Sequence, residues 1–149
     1  MTTSICRSAS ATLEQLTRDL EPGGRAEFRD PAGVHMTLYV SRLPEVPAGS
    51  LFTIAHAHAG HIGEPICDPL VTLLRAVDGS WVPLEITTPF AHVVTAEAGD
   101  PVRIVARDEH RRLLKLVEIW MRNVSANLLR AHHVLQKEEV CSLAEYLTA

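Results

Sequence analysis

The sequence lacks the features that mark several large classes of protein. No run approaches the roughly 20 consecutive apolar residues that a membrane-spanning helix needs. The first residues also lack an apolar stretch of signal-peptide length. The chain has three cysteines, Cys6, Cys67 and Cys141, and an odd number of widely spaced cysteines predicts reduced thiols rather than a disulfide framework. We therefore expect a cytoplasmic protein with no membrane partner.

Strong charge of either sign is also absent. The net charge is −4 over 149 residues, whereas nucleic-acid-binding domains usually carry a dense basic patch. Nucleic acid is therefore not an expected partner. No internal repeat and no change of composition marks a second domain. The length suits one hydrophobic core, so we expect a single α+β domain over residues 1–149, with 1–9 frayed.

The best-defined local signal is Asp78-Gly79, which lies between two β-prone runs. An Asp-Gly pair in this setting predicts a two-residue type I′ turn and hence a β-hairpin over 68–90. Pro83 cannot donate to a ladder, which predicts an edge strand or a bulge at that position. The turn predicts these cross-strand pairs: Ala76 with Trp81, Leu73 with Leu84, and Val71 with Ile86.

Alternation of apolar and polar residues predicts three more strands, over 35–42, 51–57 and 91–97. A short extended piece is expected over 102–105. The run from Arg25 to Pro31 is ambiguous.

Helical periodicity appears at both ends of the chain. A short amphipathic helix is predicted over about 11–21, with Ser10 or Thr12 as its N-cap. From Asp108, a second N-cap candidate, a wide apolar stripe with a period of about 3.6 runs to Leu135, which is typical of a helix laid on a sheet. A last short helix is predicted over about 138–147. A partner copy is the alternative occupant of the stripe, which would make these residues a dimer interface: Leu114, Val117, Met121, Val124 and Leu128.

The order of these elements predicts the fold class. One helix, a run of strands and then helices favours an α+β fold. We expect a mainly antiparallel sheet of about five strands, with a short N-terminal helix and a long C-terminal helix packed on one face. Trp81 and Trp120 are predicted to be core residues, one on the sheet and one on the helix that faces it.

Three histidines, His56, His58 and His61, lie at the end of the strand predicted over 51–57 and directly after it. Residues two apart on a strand share a face, so His56 and His58 could converge, and three imidazoles form a zinc site in many enzymes. The run LFTIAHAHAGHIGEP resembles the HxHxDH segment of the metallo-β-lactamase superfamily, with Gly60 in place of that family's metal-binding aspartate. The resemblance implies a zinc-dependent hydrolase. We favour the alternative, a strand that carries histidines and binds no cofactor.

A group of basic residues is the densest positive set in the chain. Acidic residues interrupt it, so a solvated helix face is one interpretation and a protein-binding surface is the other. The set consists of Arg103, Arg107, Arg111, Arg112 and Lys115.

A longer series of motifs runs from Leu51 to Asn127: Ala55-His56 at a strand end, Asp68-Pro69, Trp81-x-Pro83-Leu84, and a helix with Trp120-x-x-Asn123. This series resembles a group of small, uncharacterised bacterial proteins known only as a domain of unknown function, some of them carried on plasmids and integrative elements. Those proteins show Asn-Gly-Asp where residues 60–64 stand here. The resemblance implies a compact α+β domain and no reaction.

Three functions are compatible with these patterns. We favour a non-enzymatic protein-binding or adaptor protein, encoded by a mobile genetic element and acting on a host defence complex in the manner of an anti-CRISPR protein. The second is a metal-dependent hydrolase that uses the three histidines. The third is a structural homodimer formed through the C-terminal helix.

Overall fold

The computed structural model describes residues 3–30, 36–59, 65–129 and 137–138, and side chains over 3–30, 36–56 and 68–127. Its helices are α1 (Arg7–Thr17) and α2 (Arg107–Val124), and a π-helical turn, Ser125–Leu129, follows α2. Its strands are β1 (Arg25–Phe28), β2 (Leu38–Arg42), β3 (Gly49–Ala59), β4 (Pro65–Ala76), β5 (Trp81–Thr87), β6 (His92–Val94), β7 (Ala96–Glu97), β8 (Arg103–Ile104) and β9 (Lys137–Glu138).

The strands form an antiparallel sheet, which confirms the predicted α+β fold class. Among the described residues, seven strands follow the order β6-β5-β4-β3-β2-β1-β9, and β7 and β8 form a separate pair. The sheet therefore has more strands than the five expected. Part of the difference is β1, which lies in the stretch that alternation left ambiguous.

The hairpin of β4 and β5 closes through three residues rather than two. Gly79 has a φ of 87°. Its N–H donates to the carbonyl of Ala76 over 2.9 Å, and the Ala76 N–H donates to the carbonyl of Ser80 over 2.8 Å. A turn followed by one residue of positive φ is the usual three-residue hairpin loop. The predicted type I′ turn is therefore wrong, because Gly79 is the turn residue with positive φ.

The register of this hairpin shifts at a bulge beside Pro83. Near the turn the predicted pairs are wrong by one residue, since Leu73 pairs with Pro83. Beyond the shift, Val71 pairs with Ile86 as predicted. Leu84 is the additional residue on β5, which confirms the bulge that a proline in this strand predicts.

The predicted strand over 91–97 divides into β6 and β7. Thr95 lies between them, and its N–H still donates to Leu84 of β5 over 2.8 Å. The Thr95 carbonyl accepts from the N–H groups of Val105 and Ala106, at 2.9 and 3.2 Å, and not from β5. The chain leaves the sheet at this point and pairs with β8, which confirms the short extended piece over 102–105.

Both helices begin before their predicted starts, and neither N-cap residue makes a capping hydrogen bond with its side chain. Cys6 is the N-cap of α1, and its N–H donates to Oε2 of Glu118 on α2 over 2.7 Å. A carboxylate in this position also interacts favourably with the positive end of the helix dipole. The N-cap of α2 is Ala106 rather than Asp108. Prediction of a cap from neighbouring residues could not identify either start.

The described residues after Val124 differ from the predicted helices. The long helix was expected to continue to Leu135, but the α-helix ends at Val124 and the π-helical turn follows. Lys137–Glu138 pairs with β1 as a strand, so the short helix predicted over 138–147 does not begin there. The rest of that prediction lies outside the described residues. No described helix has the length and apolarity needed to span a membrane.

The main core lies between the sheet and both helices, which pack on one face as predicted. The helices contribute buried residues such as Leu13 and Leu16 from α1 and Val117 and Met121 from α2, and Trp81 lies opposite them at 0% exposure. A second, smaller cluster lies on the other face of the sheet. Its members include residues of β4, β5, β7 and the loop before β3: Ala48, Leu74, Val82, Leu84 and Ala96.

Two glycines with positive φ predict losses of stability of different size on substitution. Gly49 has a φ of 147°, and a Cβ there would collide with the Arg75 carbonyl and lie 3.1 Å from the Cα of Ala76. We expect Gly49→Ala to lower the free energy of unfolding by more than about 3 kcal/mol in urea titrations, since strain and overpacking add.

Gly79→Ala is the matched control. Its φ of 87° carries a backbone cost, but a Cβ there meets nothing within 4 Å. We expect a loss of about 1–2 kcal/mol. Equal losses in the two variants would contradict the close approach of β4 to Gly49.

Candidate functional site

His56 contacts the helix layer and is not held free for a ligand. Its Nε2 lies 3.3 Å from Nε1 of Trp120, and the two rings meet edge to face with centroids 5.0 Å apart. An indole N–H only donates, so Nε2 accepts and the neutral ring carries its proton on Nδ1. Burial lowers the pKa of His56 below its ordinary value.

This contact bears directly on the predicted zinc set. A metal at Nε2 of His56 would displace the Trp120 N–H and leave a buried donor without an acceptor, which costs about 1–3 kcal/mol. The side chain of His58 and the whole of His61 lie outside the described residues. Within the described part of the chain, no group of three or more His, Cys, Asp or Glu side chains could hold a metal ion. The geometry therefore assigns His56 a packing role, and zinc binding stays a prediction.

The predicted basic surface divides into separate, exposed ion pairs. Because successive helical residues are 100° apart, Arg111 and Arg112 point to different sides of α2. All three described pairs are more than 40% exposed on both sides, so each contributes little. Arg107 and Lys115 are exposed on the same helix. The pairs are Arg103–Glu97 at 2.7 Å, Arg111–Asp108 at 4.0 Å and Arg112–Glu109 at 3.9 Å.

The predicted dimer interface lies in the core of its own chain. The four members with described side chains are at most 7% exposed and pack in the main core. Their surface is already covered by the sheet, so it is not available to a second copy while α2 stays in place. The four are Leu114, Val117, Met121 and Val124, and the side chain of Leu128 lies outside the described residues.

His110 is a buried polar residue that the sequence interpretation missed. It is 0% exposed, with Nε2 2.9 Å from the Thr3 carbonyl and Nδ1 2.9 Å from Oγ1 of Thr95. The Thr3 carbonyl can only accept, so Nε2 carries a proton and donates to it. The Thr95 hydroxyl also donates to the Leu84 carbonyl over 3.3 Å, so its one proton is shared between that carbonyl and Nδ1 of His110. This ring links the N-terminal segment, α2 and the end of β6. Its position four residues before Leu114 extends the apolar stripe by one turn, and that signal predicts burial.

The connection between β5 and β6 displays an aromatic ring in solvent. Phe90 is 95% exposed. Its turn is held by hydrogen bonds, since Oγ1 of Thr88 accepts from the N–H groups of Phe90 and Ala91, at 3.3 and 3.1 Å. Pro89-Phe90, at the end of the predicted hairpin and directly before the strand predicted over 91–97, was the available signal, and it was not interpreted as a surface feature.

Strand β6 is an edge of the sheet among the described residues. A backbone hydrogen bond lies at each end of this strand. The Thr88 N–H donates to the Ala91 carbonyl, and the Thr95 N–H donates to the Leu84 carbonyl, both over 2.8 Å. These two bonds set the alternation of the ladder, so Val93 directs its backbone groups to β5. His92 and Val94 consequently direct theirs away from the sheet.

A small apolar pocket opens beside this edge. Its volume is about 230 Å³, and Val93, Ile86, Leu113 and Leu116 form most of its walls. Arg112 also lines it. The pocket therefore joins the edge strand to the exposed side of α2.

Two other described cavities are polar. One of about 510 Å³ lies between α1 and α2 and is lined in part by Gln15, Glu118 and Arg122. The other, of about 300 Å³, lies beside Arg42 and Arg75. Both guanidinium groups already form hydrogen bonds within the chain. Arg42 donates to the Leu20 carbonyl and to Glu45, and Arg75 donates to Glu14.

Comparison with known proteins finds no matching family model, no matching curated protein and no matching solved structure. The resemblances to the metallo-β-lactamase segment and to the domain of unknown function therefore stay predictions from motifs.

The lowered pKa of His56 predicts a specific pH dependence of stability. The folded state binds this proton less readily than the unfolded state, whose imidazole has a pKa of about 6.5. The contribution is therefore fully present above that value and is lost as the pH falls through it. In urea titrations between about pH 7.5 and 5, we expect the wild type to lose more stability than His56→Gln. Equal slopes in the two proteins would contradict the burial of this ring.

Proposed function

We propose that the chain is a non-enzymatic protein-binding protein, and that its binding surface is the open end of the sheet. This surface, called the β6 surface below, comprises the Thr88–Ala91 turn, strand β6 and the exposed residue Leu116 of α2, which lines the pocket beside β6. Phe90 is the observation that carries the proposal. Single exposed apolar residues are common, and Phe90 combines 95% exposure with a turn that hydrogen bonds hold in place.

The energetics of Phe90 suit a binding anchor. Burying a phenylalanine side chain contributes about 1.5–3 kcal/mol. The side chain is already positioned by the turn, so binding loses little backbone freedom. Leu116, at 40% exposure, adds apolar area beside β6, and Val94, at 39%, adds it on the opposite face of that strand.

The histidines support the same proposal. Nε2 of His56 accepts from Trp120, and both ring nitrogens of His110 contact Thr95 and Thr3. These two rings make structural hydrogen bonds, which is the usual role of a buried polar side chain.

The finer hypothesis is an inhibitor of a host defence complex encoded by a mobile genetic element. Its support is the series of motifs that resembles proteins of plasmids and integrative elements. A protein of that kind needs an exposed surface that contacts a large complex, and the β6 surface would supply one.

Substitution of Phe90 tests the proposal. We expect Phe90→Ser to weaken capture of the native partner at least tenfold, because a tenfold change corresponds to about 1.4 kcal/mol. The measurement is quantitative co-precipitation from extracts of the native host with tagged full-length protein. Circular dichroism of both proteins checks that the fold is unchanged.

Val77→Ser is the matched control. Val77 is 78% exposed at the opposite end of β5, in the β4–β5 loop. Its substitution removes a comparable exposed apolar group from a different surface, so capture is expected to stay within about twofold of the wild type, or roughly 0.4 kcal/mol. Equal effects of the two substitutions would remove the support for the β6 surface.

A further inference from the structure

The outer edge of β6 presents backbone groups in the arrangement that a strand would satisfy. His92 and Val94 direct their N–H and C=O groups away from β5, as the hydrogen bonds of Thr88 and Thr95 require. Addition of an extended segment to an open edge is a recurrent mode of peptide recognition, and its affinity comes from these main-chain bonds.

The pocket beside β6 would select one side chain of such a segment. Side chains of a strand alternate between the two faces of a sheet, so every second side chain of an added strand would face α2. The pocket of about 230 Å³ lies on that side, between Val93 and Leu116. It is open and mainly apolar, and it therefore favours an aliphatic or aromatic side chain.

Two side chains of opposite charge line the pocket, Arg112 and Glu109, and Arg112 is the more exposed of the two. This difference favours an acidic residue next to the apolar side chain of the segment. Arg112 lines the pocket, with its side chain 76% exposed and its contact to Glu109 as long as 3.9 Å. Such an exposed pair contributes little, so the guanidinium can form a bidentate bond with a carboxylate. Lys115 is exposed one helical turn further along α2 and increases the positive charge.

We propose that the occupant is an extended segment of a partner protein that adds to β6 as a strand. On its side facing α2, the segment carries an apolar residue for the pocket and an acidic residue two positions away, opposite Arg112. The inference rests on the proposed function and names the chemistry of the partner.

A second copy of this chain fits the surface less well. Pairing of β6 with itself about a twofold axis would bring both copies of Arg112 and Lys115 to one interface. Glu109 of each copy offsets part of this charge, and the like charge that remains opposes association. Self-association is therefore an outcome of the test that counts against the proposal.

The test starts from a displayed library of random linear peptides selected on the full-length protein. We expect the enriched peptides to place an acidic residue two positions from an apolar one. Single N-methyl groups are then introduced along one selected peptide. Because alternate N–H groups of a strand face its neighbour, methylation should weaken binding at every second position and have little effect between.

Charge reversal on α2 gives the second readout. We expect Arg112→Glu to raise the Kd of the selected peptide at least tenfold in fluorescence anisotropy, and Glu→Lys in the peptide to restore part of the loss. Arg111→Glu is the matched control, since it makes the same charge change one residue away on a different side of the helix. Its Kd should stay within about threefold of the wild type, or roughly 0.6 kcal/mol.

Three results would overturn the inference: no enriched peptide, N-methyl effects without alternation, or equal effects of Arg112→Glu and Arg111→Glu. Concentration-dependent dimerisation in light scattering that His92→Pro abolishes would assign the edge to a second copy instead. If the native partner is lost with Phe90→Ser while Arg112→Glu has no effect, the proposed function stands and this account of the partner fails.

Discussion

The structure depends on the burial of two helices against one face of the sheet, and each tryptophan links a helix to that face. Trp81 of β5 donates its indole N–H to Glu14 of α1 over 3.0 Å. Trp120 of α2 donates to His56 of β3 over 3.3 Å. A buried indole contributes a large apolar area and needs one acceptor. Each pair therefore places one polar contact between its helix and the sheet.

The packing of the helices determines which surfaces stay open. The apolar stripe of α2 faces the sheet, so its residues serve the core rather than a partner. On the other face, β7 and β8 cover part of the sheet around Leu84 and Ala96. Strand β6 lies at an edge, and its turn places Phe90 in solvent. The proposed function follows from this distribution of covered and open surfaces. The histidine pattern that suggested a zinc site contributes instead to packing, through His56.

Sequence patterns predicted the fold class and most strands, because alternation and helical period depend on neighbouring residues. The bulge beside Pro83 was predicted for the same reason, since a missing N–H is a local property. The caps were not predicted, because Glu118 completes the start of α1 from 112 residues away. The register near Gly79 was wrong because the Asp-Gly pair does not determine whether one or two residues adopt positive φ. His110 and Phe90 gain their roles from tertiary contacts and exposure, which periodicity reports only in part.

Amide hydrogen exchange of the free protein, followed by NMR, tests most directly the claim that β6 is an open edge. Val93 and Thr95 direct their N–H groups to β5, so their amides should exchange slowly. His92 and Val94 direct theirs to solvent and should exchange much faster, which gives an alternating pattern along the strand. Equal protection of all four amides would show that the edge is already covered and would contradict the account.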